Sequence, residues 1–113
     1  PRTESHWTPD RISHAQSGRH QPLFFDRPAT LKAWVAASQH WQAEAVRLQT
    51  EAFRRMDGLV SSAVHHFIDA WPAGWMKSIV DCERRPKAAW FACRDALAPW
   101  LPMWRCDRTA VFS

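Results

Sequence analysis

The sequence predicts an α/β fold, and three observations predict it. A long amphipathic stretch reads as a helix from about residue 30 to 56. A short, β-branched apolar run follows at residues 59–68, and a second helical pattern opens at Pro86. A helix, a buried strand and a helix in that order form the repeating unit of parallel α/β folds. The alternative is a small all-α bundle, in which residues 59–68 form a third helix.

The first helix is the clearest element. Thr30 is placed to cap it after Pro28. Leu31, Trp34, Val35, Ser38, Trp41, Ala45, Leu48, Ala52 and Phe53 recur at three- and four-residue steps and fall on one face. Lys32, His40, Glu44, Arg47, Glu51 and Arg55 fall mostly elsewhere, and Glu51 and Arg55 form an i,i+4 pair in the favoured order. Asp57-Gly58 supplies a stop. Such a stripe requires a large apolar partner.

Residues 59–68, Leu-Val-Ser-Ser-Ala-Val-His-His-Phe-Ile, satisfy both templates. Val60, Val64, Phe67 or Ile68, and Trp71 fit a helical period, while the run's length and its flanking Gly58 and Pro72 favour a buried strand. A buried strand needs neighbours on both edges for its backbone donors and acceptors. The remaining chain offers one or two weak candidates, of which Ile79-Val80 is the first. Residues 72–85 otherwise read as loop. Pro86 suits the first position of the second helix. Ala89, Trp90, Cys93, Ala96 and Leu97 make its inner stripe, and Pro99 ends it. Residues 103–112 resemble the start of another strand. Residues 1–25, with Pro1, Pro9, Gly18 and Pro22, show no period and read as loop or tail.

Composition narrows the function classes. The 113 residues suffice for one ordinary domain. The formal charge is +4, but the cations are scattered and interleaved with acids, so no nucleic-acid partner is implied. Cys82, Cys93 and Cys106 are odd in number and lack Cys-x-x-Cys spacing, which argues against a disulfide framework or a zinc site. No apolar run is long enough to span a membrane, and no signal-peptide pattern is present. Eight Trp against no Tyr is the unusual count. Trp brings large apolar area and a ring face able to stack on a ligand.

The densest mixture of chemistry is His65-His66-Phe67-Ile68-Asp69-Ala70-Trp71-Pro72-Ala73-Gly74-Trp75. Paired imidazoles, one acid and two indoles beside a Pro-Gly break suit a polar pocket with aromatic walls, of the kind that grips a sugar ring. On a strand, His65 and His66 face opposite sides and do not share one pocket or chelate one metal. Each is a candidate substrate contact, and a hydrogen-bonded structural role fits equally. Asp69 suits hydroxyl recognition or a charge partner in preference to general acid catalysis, which needs a second carboxylate roughly 5–10 Å away. Trp71 is a candidate stacking ring, whereas Trp75 reads as packing. Trp34, Trp41 and Trp90 belong to helical stripes. Arg85 and Lys87 flank a helix start, where the dipole disfavours cations. They are either solvated or hold loop carboxylates such as Asp69 or Asp81.

Several of these residues together carry a resemblance. Ser38-Gln39-x-x-Gln42-Ala43-Glu44-x-x-Arg47 is followed by Glu51-x-x-Arg54-Arg55 and Gly58. Asp69-x-Trp71-Pro72, Asp81, Arg85-Pro86-Lys87 and Arg94-x-x-Leu97-Ala98-Pro99 come after it. Over residues 25–113 this resembles the end of the catalytic domain in glycoside hydrolase family 2, which includes β-galactosidases, β-mannosidases and β-glucuronidases. The resemblance implies a fragment of a (β/α)8 TIM barrel over residues 26–102: a long helix, the last barrel strand and the last barrel helix. Residues 103–113 would then be a linker or the first strand of a following β-sandwich. It further implies the C-terminal piece of a retaining β-glycosidase, with His65, His66, Asp69 and Trp71 at the strand end facing a carbohydrate substrate. The rest of the parent polypeptide would be the partner. No cofactor or metal is implied. The two catalytic glutamates of the family have no matching motif here: Glu44 and Glu51 sit on a helix flank and Glu4 in the tail. His65 stands where family members often carry a Trp. The competing reading is a stand-alone helical interaction module with a basic face.

Overall fold

The computed structural model describes Leu23, Phe24, Asp26, residues 28–71 and residues 77–103. It contains two helices, α1 (Leu31–Arg54) and α2 (Ala88–Ala96), packed on each other. The Thr30 side chain caps α1, its Oγ1 accepting from the Ala33 N–H at 3.1 Å. The helix closes at Arg55, whose N–H bonds back to the carbonyls of Glu51 and Ala52. A turn from Met56 to Leu59 follows, with Gly58 at φ 83°, a conformation that costs glycine little. Lys87 holds the N-cap position of α2, one residue past Pro86.

The expected barrel fragment is not what forms. No strand is present among the described residues, and the architecture is the small all-α alternative, with two helices in place of three. Residues 59–68 are neither strand nor helix. Val60 is 97% exposed, so the run is not a buried core element. Its one pairing among the described residues is a parallel bridge, Ile68 to Val80. Val80 also makes one antiparallel bridge, to Pro86. Val80 is therefore the residue with neighbours on both edges, and Ile79 and Val80 are the buried pair. The sequence signal for extended structure was stronger at residues 59–68, yet the buried extended backbone is the shorter Ile79-Val80 piece. With one bridge on each edge no ladder propagates, and among the described residues the first run has no second neighbour to bury it.

The core is small. Ile79, Val80, Ala89 and Cys93 form its centre, and Ala43, Val46, Ile68 and Trp90 pack around it. Ala96 is buried nearby on the α2 stripe, whereas Leu97, expected on the same stripe, is exposed. The α1 stripe departs further from expectation. Trp34 is buried, but Leu31, Val35, Trp41 and Leu48 are exposed. The face of α1 that meets the core carries Ala43 and Val46 instead. Small residues on α1 meet small residues on α2, and small contact residues let two helices approach closely. The helix thus has apolar residues away from the side that, among the described residues, packs on α2. The expected strand at the C-terminal end falls on residues outside those described.

Three side-chain ties hold this arrangement. The Gln42 amide donates to the carbonyls of Lys77 (2.7 Å) and Ser78 (3.2 Å), pinning the extended piece to α1. The Arg54 guanidinium donates to the carbonyls of Ala96 (2.6 Å) and Ala98 (2.8 Å), gripping the end of α2. Helix ends leave unpaired carbonyls, and a cation there both bonds them and opposes the dipole. The third tie joins residues 66–69 to the start of α2, and it belongs to the candidate site.

Candidate functional site

The segment from His66 to Trp71 is positioned by backbone hydrogen bonds to the Ile79-Val80 piece. The Ile79 N–H donates to the His66 carbonyl at 3.3 Å and the Val80 N–H to the Phe67 carbonyl at 3.0 Å. The Asp69 N–H in turn donates to the Val80 carbonyl at 2.9 Å. On the other side of the same piece, the Lys87 N–H donates to the Ile79 carbonyl at 2.9 Å. Asp69 and Lys87 are thus brought to the two edges of one central segment. Their side chains meet: Lys87 Nζ lies 2.5 Å from Asp69 Oδ2, and both side chains are largely buried.

Of the two readings of Arg85 and Lys87, the structure shows the paired one. The Arg85 guanidinium reaches Asp81 Oδ2 at 2.7 Å and also Glu83. Asp81 Oδ1 meanwhile accepts from the backbone N–H groups of Glu83 and Arg85, each at 2.9 Å, so its carboxylate organises the turn into α2. Those bonds, first the Arg85 backbone N–H and then its guanidinium, hold the Asp81 carboxyl below the usual carboxylate range. The same turn places Arg84 at φ 67°, an unusual conformation for a residue with a Cβ.

The four candidate residues are differently situated. His65 is exposed and His66 half-buried, and their ring centroids are 3.4 Å apart. The expectation that they face opposite sides of a strand does not hold: the segment is not a strand and the two rings lie close together. His66 Nδ1 and Asp69 Oδ1 are buried polar atoms without a hydrogen-bond partner among the described residues, as is Ser78 Oγ. The Asp69 carboxylate therefore uses one oxygen on Lys87 and keeps acceptor capacity on the other. Trp71 is 83% exposed, its ring free to pack on something outside the described chain. Trp75 lies outside the described residues.

Two glutamates on α1 are structural. Arg47 bonds Glu44 Oε2 and Glu51 Oε1, each at 2.8 Å. The hydrogen bond from Arg47, and then its charge, hold the Glu44 carboxyl below its ordinary value. Glu44 is therefore held in its ionised form, and both acids are engaged by Arg47. Burial pushes the Cys93 thiol upward, away from the thiolate form that nucleophilic chemistry needs. No group of three or more His, Cys, Asp or Glu among the described residues is arranged to hold a metal ion. No helix among them is long and apolar enough to cross a membrane.

Among the described residues, most of the cations are paired. Arg47, Arg85, Lys87 and Arg94 each sit in an ion pair, and Arg54 is spent on backbone carbonyls. Lys32, Lys77 and Arg84 lie on three separate elements. The sequence reading assigned no role to Gln42 or Arg54, the residues that tie α1 to the rest. Both were visible as polar residues beside the small Ala43 and Val46 face, but that face was hidden by the more hydrophobic stripe beside it. The chain matches no family model, no curated protein and no solved structure.

Proposed function

We propose that this chain is a helical interaction module that docks its open apolar surface on a larger protein. The observation that carries the reading is the apolar side chains left exposed along α1, Trp41 and Leu48 on one side and Leu31 and Val35 near the helix start. Phe24 lies against Trp41, with ring centroids 5.9 Å apart, and is itself exposed, so the patch continues beyond the helix. Large apolar side chains left open to water are what a protein docking surface offers. The pairing of most described cations with acids or carbonyls favours an apolar protein surface over a polyanion as partner. The test is dye binding and sedimentation of the pure chain beside a Trp41→Lys/Leu48→Lys variant. Wild-type chain should bind a hydrophobic dye and self-associate, and the variant should do both less at unchanged helical content. A wild-type chain that is monomeric and silent to the dye would count against the module.

A second reading has a specific observation in its favour. The residues that carry the resemblance to the family 2 β-glycosidases contact one another: Asp69 with Lys87, Asp81 with Arg85, Arg47 with Glu44 and Glu51, and Arg54 with the carbonyls of Ala98 and Pro99. On this reading the larger protein is the remainder of a retaining β-glycosidase. The chain would lend it part of a sugar site, with Asp69 accepting from a hydroxyl and Trp71 offering a ring face. Both catalytic glutamates would come from the remainder. Sugar hydrolysis by a polypeptide containing this chain, sensitive to Asp69 and Trp71, is the corresponding test.

A further inference from the structure

No further inference is drawn: the strongest candidate, the cleft of about 260 Å3 between the C-terminal half of α1 and residues 62–65, has no buried residue in its lining and none of the buried unpartnered polar atoms, so nothing in it specifies a ligand.

Discussion

The Lys87 ammonium and the Asp69 carboxylate meet at 2.5 Å across the edges of the Ile79-Val80 segment, with both side chains mostly out of water. A pair so placed is stabilising only while both partners are present. Removing one leaves a charge in a low-dielectric setting, which costs about 3–5 kcal/mol in fully buried cases. Partial exposure here lowers that to roughly 2 kcal/mol. Lys87→Met should therefore destabilise the chain markedly. The double variant Asp69→Asn/Lys87→Met should lose less than the sum of its two single changes. Urea unfolding of the four proteins measures the coupling, and simple additivity would show that the pair contributes nothing.

Arg54 spans from the last turn of α1 to the end of α2, bonding the Ala96 and Ala98 carbonyls. Hydrogen bonds involving a charged group contribute about 1.5–3 kcal/mol each where water is excluded. This site is partly exposed, so the expected loss in Arg54→Met is about 1–2 kcal/mol in total. Lysine presents a point charge and no planar fork, so Arg54→Lys should recover less than half of that. Thermal melts of the two variants decide the matter. Full recovery by lysine would mean that charge alone, not the fork, fastens α2.

How much of this was legible before the structure depends on the range of the interaction. The α1 cap at Thr30 and the stop near Gly58 are set by local chemistry within a few residues, and they were readable. So was the Ala89, Cys93 and Ala96 stripe. The side of α1 that meets the core was misjudged because hydrophobicity ranks Trp41 and Leu48 above Ala43, whereas packing against a small-residue helix selects Ala43 and Val46. The strand at residues 59–68 failed for a related reason. β-branched content signals a fit to a half-buried pleated surface, and that signal is realised only where neighbours exist. Here they exist at Val80. In the candidate site, the pairing of Lys87 with Asp69 stood among the readings of the sequence. The close approach of the tilted His65 and His66 rings did not, because a strand would have set the two residues on opposite faces.

The turn between Asp81 and Lys87 contains a correctable conflict. Arg84 sits at φ 67° and its side chain is exposed, so it gives up backbone comfort without visible packing in return. The left-handed conformation costs a residue with a Cβ roughly 1 kcal/mol, a penalty that glycine escapes. Glycine also raises the entropy lost on folding, which offsets part of the gain. Arg84→Gly should raise stability by about 0.5 kcal/mol and leave the Asp81 to Arg85 contact intact. Chemical denaturation measures the shift. A clear loss of stability would mean that the Arg84 side chain has a role in the fold.

The glycosidase reading makes its sharpest statement about what the chain does alone and what it does in a larger polypeptide. Retaining hydrolysis divides one difficult step into two by means of a nucleophile and an acid/base, both carboxyl groups about 5–5.5 Å apart. Glu44 and Glu51 are tied down by Arg47, and Asp69 is tied to Lys87. The pure chain should therefore not turn over nitrophenyl β-galactoside, β-mannoside or β-glucuronide. In a polypeptide that carries this chain together with the missing glutamates, Asp69→Ala and Trp71→Ala should each lower kcat/KM. The expected loss is about ten- to a hundredfold, corresponding to about 1–3 kcal/mol for a charge-assisted hydrogen bond or a stacked ring. His40→Ala, on the exposed surface of α1, is the control and should leave the rate unchanged. Because Asp69 also supports the fold through Lys87, melting temperature must accompany each rate. Trp71, at 83% exposed, carries no such double role, which makes it the cleaner probe. Near-normal kcat/KM in Trp71→Ala would remove this segment from the sugar site and leave the docking module as the surviving account.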